Sequence, residues 1–148
     1  MAALVAAKPT GRIAEIGTAY GAGASAIAAA LAPDASFVTV EPDQERYRQA
    51  RETLAGSRAE LVNARWEDVL LERGPFDLIF FDGGLTQAGL IEAIELLAPG
   101  GILVKDDLTP GRPIEGDPVR EALLCDERLV ATEVMTTPSS AAIIAVRC

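Results

Sequence analysis

Arg12-Ile-Ala-Glu15-Ile-Gly17-Thr18-Ala19-Tyr20-Gly21-Ala-Gly23 is an apolar strand pattern that runs through a glycine-rich turn into an alanine-rich stretch. The short apolar run over Arg12–Ile16 reads as a β-strand, and about Ala22 to Leu31 reads as a helix that stops before Pro33. Glycines between a strand and a helix let the backbone turn tightly and approach a ligand, and the helix start offers free N–H groups. This strand–turn–helix unit sets the expectation for the rest of the chain, which alternates short apolar runs with amphipathic helical patterns.

Working outward, Ser36–Val40 is the second strand. Asp43, after Pro42, is a good N-cap for a helix reaching about Leu54, where Gly56 ends it. Ala59 to Val62 is a third strand, followed by a short amphipathic turn around Trp66 to Leu71. Phe76-Asp-Leu-Ile-Phe-Phe81 is nearly continuous apolar, as a central strand buried on both faces should be, and Asp82-Gly83-Gly84 closes it. Gln87 to Leu97 has apolar residues at helical spacing, with Pro99-Gly100-Gly101 as a sharp stop. The fifth strand starts at Ile102 and ends at Asp106-Asp107. A Pro- and Gly-rich loop, Thr109 to Pro118, leads to a helix near Val119 to Asp126, where Cys125 is expected as a small core residue. Leu129–Met135 and Ala141–Val146 are joined by a connection too short for a helical crossover, so this pair is antiparallel.

The chain has 148 residues, a net charge of −9 and 49% hydrophobic residues. That suits a single domain over 1–148, burying roughly 68–70% of its surface on folding. No apolar run approaches the ~18 residues of a membrane span, and no basic segment precedes an apolar core as in a signal peptide. A cytoplasmic protein without a membrane partner is expected. With no histidine and two cysteines, Ser-His-Asp triads, His-ligated metals and disulfide frameworks are excluded. The acidic balance argues against nucleic acid as a partner.

Glu41 ends the second strand, where a carboxylate can accept hydrogen bonds from both hydroxyls of a ribose. Asp82, Asp106 and Asp107 end the fourth and fifth strands, on the side of a parallel sheet where ligands bind. Three close carboxylates repel unless protonated or bound to a cation, and hard oxygen ligands suit magnesium or calcium. Alternatively, Asp107 caps the Leu108–Gly111 turn and Asp82 accepts backbone amides. Trp66 either stacks on a flat ring or covers a core edge, and Glu67 or Asp68 can accept from an exocyclic amine. Tyr20 either covers the ligand or stands as an exposed loop aromatic. Arg46, Arg48, Arg51, Glu45 and Glu52 form a solvated helix face.

Through Glu15-Ile-Gly17-Thr-Ala-Tyr-Gly21, Val40-Glu41, Phe76–Asp82 and Leu97-Ala-Pro-Gly-Gly-Ile-Leu-Val-Lys-Asp106-Asp107, the chain resembles class I S-adenosylmethionine-dependent methyltransferases. Within them it looks most like the catechol-type small-molecule O-methyltransferases. The resemblance implies an α/β, Rossmann-like doubly wound domain, with a seven-stranded, mostly parallel sheet and an antiparallel C-terminal hairpin. It implies S-adenosylmethionine held by Glu15, Gly17, Thr18, Ala19, Tyr20, Gly21, Glu41, Pro42, Trp66 and Asp82, the acid matching Glu15 and the turn on the methionine part. A hydroxyl of a small-molecule acceptor is implied as the methyl's destination. Matching positions in catechol-type relatives bind a divalent metal, which implies Mg2+ on Asp82, Asp106 and Asp107. Such a metal would lower the acceptor hydroxyl's pKa.

Two departures stand out. Relatives show Asp-Asn where this chain has Asp106-Asp107, and a lysine thought to be the base follows the fourth-strand Asp, where Gly83-Gly84-Leu85 stands here. Lys105 is the lysine nearby, and strand alternation points it away from Asp106. The base is then missing or is Asp82 itself. Longer relatives carry helices ahead of the first strand that help form the acceptor pocket, so the cleft is expected to be open or completed in a homodimer. A methyltransferase for another nucleophile without metal, and a non-catalytic cofactor-binding module, are the competing readings. A nicotinamide-binding fold is the rival for the same turn, but a GxGxxG frame on Gly17 meets Ala19 and Ala22, and the last hairpin has no place in a fully parallel sheet.

Overall fold

Strand β1 (Arg12–Ile16) is flanked by β2 (Ser36–Val40) on one side and β4 (Phe76–Phe81) on the other, both parallel to it. The computed structural model describes residues 1–83 and 87–148. Gly84, expected in the turn that closes β4, lies outside the described residues. β3 (Glu60–Val62) extends the sheet beyond β2, and β5 (Leu97–Leu108) lies parallel to β4. β7 (Ser140–Arg147) then pairs antiparallel with both β5 and β6 (Leu129–Thr137). The order β3-β2-β1-β4-β5-β7-β6 is the expected seven-stranded sheet with its antiparallel hairpin. The strand order reverses between β1 and β4, which opens a crevice beyond their carboxyl ends.

Both faces of the sheet are covered, which is why β4 is apolar at five of six positions. On one face, Ile79, Phe81 and Leu103 pack with Leu70 of α4 (Glu67–Leu70), Leu90 and Ile94 of α5 (Gln87–Glu95) and Leu123 of α6 (Pro118–Leu124). On the other, Leu78 and Phe80 meet Val5 of α1 (Ala2–Ala6) and Ala24 and Ile27 of α2 (Ala22–Ala30), with Leu54 just past α3 (Gln44–Thr53). Each such side chain, taken wholly out of water, contributes about 1.5–3 kcal/mol. Asp43 caps α3 as expected, accepting the amides of Glu45 and Arg46, and Asp117 caps α6 in the same way ahead of Pro118.

Three local expectations need correction. Leu97 does not end α5 but begins β5, because the Phe76 amide donates to the Leu96 carbonyl at 2.7 Å and draws the chain into the sheet. Pro99-Gly100-Gly101 therefore lies in an irregular part of β5, where the register jumps from Phe76–Leu97 to Leu78–Ile102. Cys125 is not a core residue: it follows the last turn of α6 and is exposed. No helix of the described residues is long and apolar enough to cross a membrane.

Candidate functional site

The crevice holds a cavity of about 400 Å³ lined by the turn after β1 (Ile16, Gly17, Ala19), the end of β2 (Val40, Glu41, Pro42), Arg46, the Arg65-Trp66-Glu67 segment, and Phe81-Asp82-Gly83. Small-molecule sites span about 300–1,000 Å³. Its floor depends on Gly17. This residue has φ +94°, and a Cβ there would lie 1.8 Å from the Asp82 carbonyl oxygen. The turn is locked to the sheet by the Gly17 and Thr18 amides, both donating to Val40 O at 3.1 Å, and by the Asp82 amide donating to Ile16 O at 3.0 Å.

Glu41 is 3% exposed, and each of its oxygens already has a backbone donor. Oε2 accepts the Ala19 amide at 2.8 Å and Oε1 the Asp43 amide at 2.9 Å. Asn63 braces the same corner, its side-chain amide donating to Glu41 O at 2.8 Å. A carboxylate oxygen has further acceptor capacity, so Glu41 can still receive hydroxyl donors from the cavity.

Glu15 stands beneath the turn, not in the cavity wall. Its carboxyl is 1% exposed and accepts the Thr39 hydroxyl at 2.5 Å; the Thr39 and Thr18 hydroxyls are 2.6 Å apart. Burial pushes the Glu15 carboxyl up to about 7 against the opposing Thr39 hydrogen bond, and the Asp82 charge adds to the rise. Gly23 leaves the room this carboxyl needs, since a Cβ there would sit 2.6 Å from Oε1.

Trp66 covers a core edge, one of the two roles weighed for it, and its place in the cavity lining leaves the other a proposal. It is 8% exposed, meets Phe81 edge-on with centroids 6.1 Å apart, and also walls the cavity. Glu67, not Asp68, shares that wall, paired with Arg65 at 2.9 Å. Tyr20 is 57% exposed and outside the cavity lining, as are buried Thr18 and Gly21. The α3 charges are exposed as expected, yet Arg46 also reaches the cavity rim. Sequence reasoning passed over Asn63, Arg46 and Arg65 as contributors here, because nothing in their spacing distinguishes them from surface residues.

Asp82 is half-buried where the cavity meets the tips of β4 and β5. Burial first, then Asp107, push its carboxyl up; Lys105 pulls it down and Asp106 adds to the rise. The donor set expected for a metal does not form: among the described residues no three carboxylates or thiolates converge on a point that could hold an ion. Asp106 Oδ1 is turned back to accept the Asp107 amide at 2.9 Å, and Asp107 is exposed with φ +60°. Lys105 also departs from expectation. Alternation puts its side chain on the face opposite Asp106, but the chain curls so that Nζ donates to the Asp106 carbonyl at 2.6 Å, and the residue is only 6% exposed.

Residues 14–108 match the family described as methyltransferase domain. A curated Mycobacterium avium (strain 104) protein named "Putative O-methyltransferase" is 30% identical over 145 residues, covering 86% of this chain and 63% of its own length. The chain thus spans less than two thirds of that relative. An O-methyltransferase from Streptomyces achromogenes involved in tomaymycin synthesis, solved in complex with SAM, superposes with a TM-score of 0.78 at 26% identity, covering 99% of this chain and 77% of that one. The O-methyltransferase from Bacillus cereus in complex with SAH shares the fold, with a TM-score of 0.80 at 24% identity over 99% of this chain and 78% of its own. With its sheet order, crevice and matched residues in agreement, the chain belongs to the methyltransferase-domain family.

Proposed function

We propose that this chain is an O-methyltransferase that takes S-adenosylmethionine in the crevice and methylates a hydroxyl of a small molecule. The observation that carries this reading is the cavity bounded by the Gly17 turn and the Glu41 carboxylate and ending at Asp82. The residues fit the cofactor. A backbone cradle that a Cβ would block, a buried carboxylate with spare acceptor capacity and an indole wall suit an amino acid, a ribose and an adenine in turn. Bound there, S-adenosylmethionine supplies an electrophilic methyl on a sulfonium.

The chain's own residues do the rest. Glu41 would accept from the ribose hydroxyls, with Pro42 and Ala19 beside it in the cavity wall, and Gly17, Thr18, Tyr20 and Gly21 shape the turn. Glu15, through Thr39 and Thr18, supports that turn from below. Trp66, in the cavity wall, would flank the flat ring. Asp82 accepts the proton of the acceptor hydroxyl, helped by a carboxyl that burial has made more basic than usual. Holding acceptor and methyl in line accounts for up to about 7–11 kcal/mol of barrier reduction in well-oriented reactions. No step is assigned to a divalent metal, because the strand-end carboxylates do not form its ligand set. The formal net charge of −9 favours a small acceptor over nucleic acid. A cytoplasmic single-domain protein, with the cleft open or closed by a second copy, completes the proposal.

Calorimetric titration with S-adenosylhomocysteine tests the reading. Micromolar one-to-one binding, followed by methyl transfer to a panel of hydroxylated acceptors detected by mass spectrometry, supports it. No heat at millimolar ligand overturns it, and tight binding without turnover on any acceptor reduces it to a cofactor-binding module.

A further inference from the structure

β4 and β5 end side by side, with Phe81 opposite Lys105, so Asp82 and the Asp106-Asp107 pair leave adjacent strand tips. Carboxylates this close need a compensating positive charge or a proton. A divalent ion would need their oxygens to converge, and they do not. Asp106 spends Oδ1 on its neighbour's amide, and the left-handed backbone at Asp107 leaves that residue exposed. The chain itself brings a cation to this spot. Lys105 is among the few charged residues buried in the structure, 6% exposed, with Nζ on the Asp106 carbonyl at 2.6 Å. Burial, the larger effect, pulls the Lys105 ammonium's pKa down, and the charges of Asp82, Asp107 and Asp106, the same three acids, oppose it. Lysine is almost never buried without a partner, and here the hydrogen-bond partner is the backbone carbonyl of Asp106, with the acids at the strand ends around it. Lys105 lies between Phe81 on β4 and Ile143 on β7, so apolar neighbours hold its stem while its head reaches the carboxyl end of the sheet.

We propose that Lys105 is the built-in cation of the acidic strand ends, a positioning residue whose ammonium holds Asp82 and the Asp106-Asp107 corner together, so that the centre has no divalent-cation site of its own. The metal-binding consequence stands independently of the proposed methyl transfer; the catalytic consequence rests on it. The ammonium acts through Asp82 and need not touch the acceptor.

The test titrates Mn2+ alone into the purified full chain, followed by calorimetry and by the Mn2+ electron-spin signal. Wild type and Lys105→Arg show no one-to-one uptake at millimolar Mn2+. Lys105→Met, with Lys105→Gln as a second neutral variant, gains a single site at least ten-fold tighter than the wild-type limit, and adding Asp82→Asn removes it. A wild-type chain that binds one Mn2+ at micromolar concentration overturns the proposal, as does a folded neutral variant that binds no better than wild type. For methyl transfer, EDTA leaves wild-type kcat unchanged, while Lys105→Met lowers kcat about ten-fold or more with S-adenosylhomocysteine affinity retained and Lys105→Arg restores part of it. Loss of activity in EDTA overturns the proposal. Absence of S-adenosylhomocysteine binding in wild type refutes the cofactor reading and leaves the Mn2+ result to decide Lys105.

Discussion

The Glu41 carboxylate accepts the Ala19 amide at 2.8 Å, so the end of β2 clamps the turn after β1 at its strained residue, Ala19, where φ is +48°. A non-glycine residue in that region costs roughly 1–2 kcal/mol, which the charged hydrogen bond offsets. Glu41→Ala therefore removes a ligand contact and also releases the turn. S-Adenosylhomocysteine affinity should fall about 10–100-fold, the equivalent of roughly 1.5–3 kcal/mol. Calorimetry reads this directly, and an unchanged Kd would refute the clamp.

Gly17→Ala is expected to be far worse than an ordinary substitution at positive φ. The added methyl would lie 1.8 Å from the Asp82 carbonyl, and both backbones are held by the sheet. Gly100→Ala is the matched control, with φ +73° and open space around it. We expect about 1 kcal/mol of destabilisation at Gly100 and at least about 3 kcal/mol at Gly17 by urea unfolding, with ligand binding lost only at Gly17.

Stability should decline as pH rises from about 4.5 to about 7. Burial raises the Glu15 carboxyl from 4.5 to about 7, so between those values the folded chain keeps a proton that the unfolded chain has released. The stabilisation is full below 4.5 and is lost as pH passes through about 7, a difference on the order of 3 kcal/mol for this group. Glu15→Gln keeps the acceptor for Thr39 and removes the titration. The wild-type-minus-variant difference in urea midpoints should therefore slope across this window and flatten above it. A pH-independent difference would refute the assignment.

Arg120 is 1% exposed and joins Asp117, Glu133 and the Thr109 carbonyl, all at 2.7–2.8 Å, fastening the loop after β5 to β6. Arg120→Met leaves both acids without their partner. Because water still reaches Glu133, the expected cost is about 2–3 kcal/mol, below the full value for a buried pair. Urea unfolding checks it, and proteolysis within the 109–117 loop should accelerate.

Trp66 is the chain's single tryptophan and lies in the cavity wall, so its fluorescence should change as S-adenosylhomocysteine binds. Trp66→Phe should keep the edge contact to Phe81 and fold, whereas Trp66→Ala should lose about 3–5 kcal/mol. A saturable ligand that leaves the emission unaltered would place the binding site elsewhere.

Much of this protein is legible in its residues one stretch at a time. The continuous apolar run of β4 announces a strand covered on both faces, Asp43 announces the start of α3, and the short link between β6 and β7 requires them to be antiparallel. The glycine turn and the acid after β2 mark the crevice for the same reason, since turn conformation and strand-end chemistry are local properties. The boundary at Leu97 was not legible in this way. Helical spacing extends through it, and only the hydrogen bond from Phe76 to Leu96 shows that the sheet claims the residue.

By itself, then, the sequence determined what depends on neighbours in the chain: the order and type of the elements, the sharp turn and the acids at strand ends. Only the tertiary structure decided what depends on strands far apart in the chain. It placed Glu15 below the turn, made Trp66 both core and wall, sent Tyr20 and Cys125 to the surface, and buried Lys105 with its ammonium on the Asp106 carbonyl. The physical reason is that burial and charge compensation are set by whatever packs alongside. For the strand tips, that is settled only when β4, β5 and β7 come together.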